Sequence, residues 1–165
     1  MNRKAILGST AALAVAAGVG VGVATLGGGS ASGYGGGSSG TGTSTPATVR
    51  TASVGLGKVL TDGSGRVLYL FEADRPGVSN CANACAGVWP PLTTTGTPHA
   101  AGAAIASQLG NVRRGDGTTQ VTYHGHPLYL YAGDNAPRDT NGQGLDQFGA
   151  KWYVLAPTGG KIDND

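Results

Sequence analysis

A mainly antiparallel all-β domain, built from two pseudo-symmetric β-hairpin repeats with one short linker helix, is the fold class this sequence predicts. Three observations carry that reading: a segment spelled twice, aromatic residues at matched positions of the two copies, and turn residues between short apolar runs. "VLTDGSGRVLYLFEAD" (59–74) aligns with "VTYHGHPLYLYAGD" (121–134), with a two-residue gap in the turn. Each copy then reaches a tryptophan, in "GVWPPL" (87–92) and in "AKWYVL" (150–155). Tyr69, Phe71 and Trp89 thus match Tyr129, Tyr131 and Trp152, and an acid follows each aromatic stretch, Asp74 in one copy and Asp134 in the other.

Before the repeats, residues 1–31 combine Arg3 and Lys4, no acid, and an apolar run from Ala5 to Leu26. A basic start ahead of an apolar stretch is the pattern of an export signal. Ala and Gly dominate the run where a permanent span wants strongly apolar residues, so a cleaved signal is favoured over a signal anchor. Small residues in "GGSAS" place cleavage near Ala31 or Ser32. Residues 32–48 form a Gly/Ser/Thr linker with almost no core-forming side chains. The β domain is then 49–162, with repeat one at about 54–98 and repeat two at about 112–160.

Within each repeat the local reading is a hairpin. "GKVL" and "RVLYLF" flank "TDGSG", and "TTQVTY" and "HPLYLY" flank "HG"; a further hairpin joins "NVRR" to "TTQVTY" through "GDG". In "VLYLF", Val67, Tyr69 and Phe71 share one face and Leu68 and Leu70 the other, so the strand is covered on both sides. The alanine-rich "HAAGAAIASQLG" (99–110), ended by Gly110, is the one stretch with helical character and is expected to form two or three turns. Neither unit alone buries enough apolar surface to be stable; together they can share a core.

The paired Tyr-x-aromatic-x-x-Asp motifs, "CANAC", "WPPL" and "FGAKWYVLAP" resemble the bacterial secreted-repeat family of predicted lipoproteins, over roughly residues 54–160. The resemblance implies an exported, cell-surface or extracellular protein of a family largely without assigned activity. Many members carry a lipid on a cysteine just after the signal, whereas no cysteine precedes Cys81 here. A free or signal-anchored form is therefore preferred.

Composition narrows the function classes. The chain has 11 Lys+Arg and 9 Asp+Glu, so without Arg3 and Lys4 nine bases would face nine acids. Nucleic-acid binding needs several clustered cations, and only Arg113-Arg114 stand together, so no nucleic-acid partner is expected. No G-x-S-x-G elbow or Ser/His/Asp set stands out, and the Gly-rich stretches lack the strand-turn-helix context of phosphate loops.

The repeated acids Asp74 and Asp134 admit two readings. They could form a carboxylate pair for acid/base work, or each could close a strand and cap backbone N–H groups two residues on. Repetition favours the second, because duplicated units copy structural devices. Cys81 and Cys85, in an exported chain and without nearby histidines, are expected to form a structural disulfide. At the corresponding place the second copy has "DTNGQGLDQFG", where Asp139 and Asn141 open like a calcium loop, but the closing position is Ala150 rather than Glu. Both loops are expected to need pinning, and only the first is pinned covalently. His124 and His126 flank Gly125, and with His99 they are the candidate metal ligands.

The expectation is therefore an exported, non-enzymatic module, secreted or at the cell surface, monomeric, without cofactor, and acting by binding or surface contact. The alternative is a metal-binding or redox accessory protein using His124, His126 and His99.

Overall fold

The computed structural model describes residues 45–163. The expected export signal and nearly all of the linker lie outside these residues. Strand β1 (Thr48–Val54) and β2 (Gly57–Asp62) form an antiparallel hairpin, followed by the short β3 (Tyr69–Phe71). Helix α1 (Ala84–Val88) and β4 (His99–Ala100) lead to the second repeat. There β5 (Leu109–Arg113), β6 (Thr119–Tyr123) and β7 (His126–Pro127) are followed by β8 (Asp146–Gln147) and β9 (Ala150–Val154). The strands make three sheets, ordered β2-β1-β4, β5-β6-β7 and β3-β9-β8, and only the β1–β4 pairing is parallel. The domain is mostly strand, as expected.

Two equivalent hairpins follow from the duplicated sequence. β1–β2 turns through Gly55 and Leu56, and β5–β6 turns through "RGDGT", where the Asp116 carboxylate accepts from the Thr118 N–H at 2.9 Å. The inner strand of each is then bonded in the same way. Leu60 donates to the Leu155 carbonyl and accepts from Leu68, while Val121 donates to the Leu92 carbonyl and accepts from Leu128. Leu60 therefore occupies the place of Val121, one residue along from the alignment read in sequence, and the turn of the second copy is shorter by one residue rather than two. The slip has a physical cause. Val59 and Leu60 are both fully buried, so alternation of apolar and polar residues does not select a register there. The tight second turn uses His124 and Gly125, both at positive φ (51° and 81°), as a two-residue hairpin loop requires.

The two faces of the repeated strand enter separate cores. Val67, Tyr69 and Phe71 pack with Trp89, Tyr129, Trp152 and the two cysteines. Leu68 and Leu70 pack with Val121, Tyr123, Leu128 and Leu155. Each core draws on both repeats, so neither repeat closes its own. Trp89, Trp152, Tyr69, Tyr123 and Tyr129 are all fully buried, and burying such a ring stabilises by about 1.5–3 kcal/mol.

The linker does not form the two or three helical turns expected over 99–110. His99 and Ala101 donate instead to the carbonyls of Ala47 and Val49 at 2.8 and 2.9 Å, adding β4 to the edge of β1. Gly102 then turns at positive φ (65°), and only one 3-10 turn, Ala106–Gln108, follows. Open backbone groups on β1 outweigh the modest intrinsic preference of alanine for helix. The helix sits elsewhere, in the loop carrying the cysteines.

Candidate functional site

The repeated tyrosines lie side by side on the axis relating the two copies. Tyr69 and Tyr129 exchange both backbone hydrogen bonds, at 2.9 and 3.0 Å. Their side chains reach into opposite repeats. The Tyr69 hydroxyl donates to Asp134 Oδ2 at 2.7 Å, and the Tyr129 hydroxyl donates to Asp74 Oδ2 at 2.7 Å. The other oxygen of each carboxylate accepts a backbone N–H, from Asn80 at 2.7 Å and from Asn141 at 2.9 Å. Each asparagine amide also donates to the carbonyl preceding the acid, that of Ala73 or Gly133. The acids thus cap backbone as expected, but six or seven residues on rather than two. Asp74 and Asp134 are bonded to different tyrosines and are not brought together as a carboxylate pair.

Burial sets the electrostatics of this arrangement. Loss of water around Asp74 and Asp134 raises both carboxyls above their ordinary range, although the hydrogen bonds to each oppose the shift. Burial, reinforced by the neighbouring carboxylate, pushes Tyr69 and Tyr129 far above the ordinary phenol range, so both remain hydrogen-bond donors.

Beside the tyrosines the aromatic residues form a four-ring stack, again alternating between repeats. Tyr131 stacks on Trp89 (centroids 4.3 Å apart), Trp89 on Trp152 (3.9 Å, 4° between planes) and Trp152 on Phe71 (4.1 Å). Tyr69 and Tyr129 meet the tryptophans edge-on, at 5.3 and 5.1 Å. Such contacts each add about 0.5–1.5 kcal/mol beyond burial. The loops following each acid hold this stack. In repeat one Cys81 and Cys85 lie at disulfide distance, with Cα atoms 5.2 Å apart, and both pack in the same core. In repeat two glutamines replace the covalent pin. Gln143 donates to the Ile162 carbonyl at 2.6 Å and accepts from Val154 N–H at 2.9 Å; Gln147 Oε1 accepts from the Trp89 indole at 2.9 Å.

Sequence reasoning missed Arg114 and Gln120. The Arg114 guanidinium, 4% exposed, donates to Ser79 Oγ (2.6 Å), Gln120 Oε1 (2.8 Å) and the Cys81 carbonyl (2.6 Å), and meets Asp116 at 3.3 Å. Ser79 Oγ is 2.8 Å from the Tyr129 hydroxyl, so a polar chain joins Arg114 to Asp74 through the interior. Arg114 follows β5 and Gln120 lies on β6, and neither position carries a sequence signal of burial. "RRGDG" reads as a solvated turn.

The remaining candidates are spread over the surface. Asp139 Oδ2 accepts from the N–H groups of Asn135 and Ala136, and Asn141 is held by Asp134, so both calcium-loop candidates cap their own loop. His124 and His126 stand with ring centroids 6.4 Å apart, while His99 lies on β4 in a different sheet. His126 titrates below the usual histidine range because burial and then His124 disfavour its charge. Among the described residues, no group of three or more His, Cys, Asp or Glu side chains is gathered where it could hold a metal ion. A concavity of about 400 Å³ is lined by Leu70, Phe71, Glu72, Asp74, His126 and Lys161. Lys161 spans it, pairing with Glu72 and Asp163 at 2.8 Å each and lying over the Tyr153 ring. Among the described residues no helix is long and apolar enough to cross a membrane.

No curated protein and no solved structure matches the chain. A family model described as a secreted repeat of unknown function matches twice, over residues 50–93 and 110–156, which are the two hairpin units with their loops. The chain belongs to this family of secreted repeats.

Proposed function

We propose that this protein is a non-enzymatic extracellular module that works by binding or surface contact. One observation carries the reading: the repeated acids are spent on the interior. Asp74 and Asp134 each hold a tyrosine of the opposite repeat and a backbone N–H of their own loop. A general acid or base needs a carboxylate oxygen free for a substrate proton. Asp134 is buried, and Asp74, although it lines the concavity, has its two oxygens taken by the Tyr129 hydroxyl and the Asn80 N–H. The family supplies the setting, an exported protein with a duplicated unit. Asp74→Asn and Asp134→Asn in the secreted chain test it, with thermal unfolding measured beside a panel of hydrolase substrates. Lowered melting temperatures without any turnover to lose support the module. Unchanged stability together with loss of a measured hydrolytic activity refutes it.

A second reading rests on the pair His124 and His126, whose rings stand 6.4 Å apart at one turn. It makes the protein a metal-linked accessory factor, with His99 as a further ligand if β4 were displaced. Copper(II) titration separates the two: a stoichiometric high-affinity phase abolished by His126→Ala favours the metal reading, and its absence removes it.

A further inference from the structure

The two repeats present equivalent strand edges, and only one of them is covered. On β1 the outward carbonyl of Val49 accepts from Ala101, and the Thr51 hydroxyl accepts from the Ala103 N–H at 3.1 Å. The chain's own linker thus pairs with β1 through the two-residue parallel strand β4, His99–Ala100, and follows its edge through Ala101, Gly102 and Ala103. The equivalent strand is β5. Thr51 pairs with Leu60 and Asn111 with Val121, and Leu60 and Val121 occupy the same place in their repeats. Leu109 and Asn111 therefore match Val49 and Thr51.

Among the described residues no strand pairs with the outer edge of β5. Its ladder to β6 is carried by the flanking bonds from His124 N–H to the Gln108 carbonyl and from Arg114 N–H to the Thr118 carbonyl, at 2.8 and 2.9 Å. Alternation then turns Leu109, Asn111 and Arg113 outward. Leu109 N–H bonds back to Ala106. The Leu109 carbonyl and both backbone groups of Asn111 and Arg113 face away from β6, with no described strand beyond them. Asn111 and Arg113 are exposed, and their side chains have no partner among the described residues.

We propose that the outer edge of β5 is a docking site for an extended peptide segment of a partner protein, rich in small residues and bearing a carboxylate. The occupant's chemistry is read from the covered edge. There a run of alanine and glycine fits closely, and Thr51 Oγ1 lies 2.9 Å from where a Cβ on Gly102 would stand. On β5 the side-chain carbonyl of Asn111 takes the role of the Thr51 hydroxyl. One strand position further, Arg113 replaces Ser53 and supplies a cation for an acidic side chain. Main-chain pairing gives the affinity and these side chains the selection. A five-residue edge bearing Arg113 suits pairing with one peptide better than open aggregation.

This names the contact surface of the binding module and rests on that reading. The test is amide hydrogen exchange of the full chain, titrated with the synthetic peptide His-Ala-Ala-Gly-Ala-Ala-Glu and with its glutamine counterpart. The expected result is slowed exchange at Asn111 and Arg113, removed by Asn111→Pro. That proline deletes only an outward N–H and leaves the β5–β6 ladder intact. Arg113→Ala should weaken the glutamate peptide by about two- to fivefold, as for an exposed ion pair, and leave the glutamine peptide unchanged. Should Asn111→Pro fail to fold, exchange in the unmodified chain and the Arg113→Ala comparison still decide. Unchanged exchange at millimolar peptide overturns the proposal. So does protection that rises with protein concentration alone, which would give the edge to a second copy. Either outcome leaves the module reading standing, because that reading falls only on a turnover activity or a bound metal.

Discussion

Tyr69 donates its phenolic hydrogen to Asp134 at 2.7 Å, although an acid of its own repeat, Asp74, lies five positions along the chain. Tyr129 makes the reciprocal choice. Each copy of the motif is completed by the other, and the same exchange recurs in the rings, where Phe71 stacks on Trp152 and Tyr131 on Trp89. The motif is thus an inter-repeat clasp, which explains why it is spelled twice.

Removing either hydroxyl should destabilise the domain without unfolding it. Tyr69→Phe leaves the buried Asp134 carboxylate short of a donor and Gly142 N–H short of an acceptor. A cost of about 1–3 kcal/mol is expected, the penalty of an unsatisfied buried polar group. Tyr129→Phe should cost a similar amount and also detach Ser79. Denaturant unfolding at neutral pH measures both, and an unchanged midpoint for either would count against the clasp.

The pH dependence has a definite sign. Desolvation raises both carboxyls in the folded state, so the folded chain holds these protons more tightly than the unfolded chain. The stability they contribute is fully present below the unfolded carboxyl pKa and is lost as pH rises through the folded value. The stability advantage of the parent over Asp134→Asn should therefore widen as pH falls from neutral into the carboxyl range. Paired melting curves across that range check it; an advantage that narrows toward acid would reverse the assignment.

Two glycines should behave oppositely. A Cβ on Gly142 would stand 2.7 Å from the Trp89 ring and 3.0 Å from Tyr69, so Gly142→Ala overpacks the stack at an expected cost of about 1–3 kcal/mol. Gly87 lies inside α1 with open space around it, and Gly87→Ala should be neutral or stabilising by about 0.5–1 kcal/mol. Thermal unfolding of the two variants separates packing from a general intolerance of substitution.

The disulfide should matter less than the clasp it sits beside. In the loop-entropy model, closing so short a loop contributes about 2 kcal/mol before strain. Cys81→Ala/Cys85→Ala should fold, melt lower, and loosen residues 81–89 while leaving the Gln143 contacts to Ile162 and Val154 in place. Hydrogen exchange resolved by segment measures this; equal loosening of both loops would show that the pins are not independent.

Much of this architecture was legible because aromatic residues recur at matched spacing and strand alternation assigns Val67, Tyr69 and Phe71 to one core and Leu68 and Leu70 to the other. What was not legible depended on contacts distant in sequence. Self-similarity shows that Tyr69 and Tyr129 are equivalent, but not that each serves the other's acid. "HAAGAA" carries a helical preference that the open edge of β1 overrides. Arg114 and Gln120 look like surface residues until the fold buries them against Ser79 and Cys81. For the candidate site, the sequence shows that the two loops differ, in "CANAC" and "DTNGQGLD", whereas the open edge of β5 emerges only from comparing the repeats in three dimensions.

A pair of double-mutant cycles tests the clasp most directly, combining Tyr69→Phe once with Asp134→Asn and once with Asp74→Asn. The expected result is a coupling of about 0.5–3 kcal/mol for Tyr69 with Asp134 and additivity within about 0.5 kcal/mol for Tyr69 with Asp74. Coupling to Asp74 instead, or additivity in both cycles, would contradict an interface built from exchanged tyrosine–aspartate pairs.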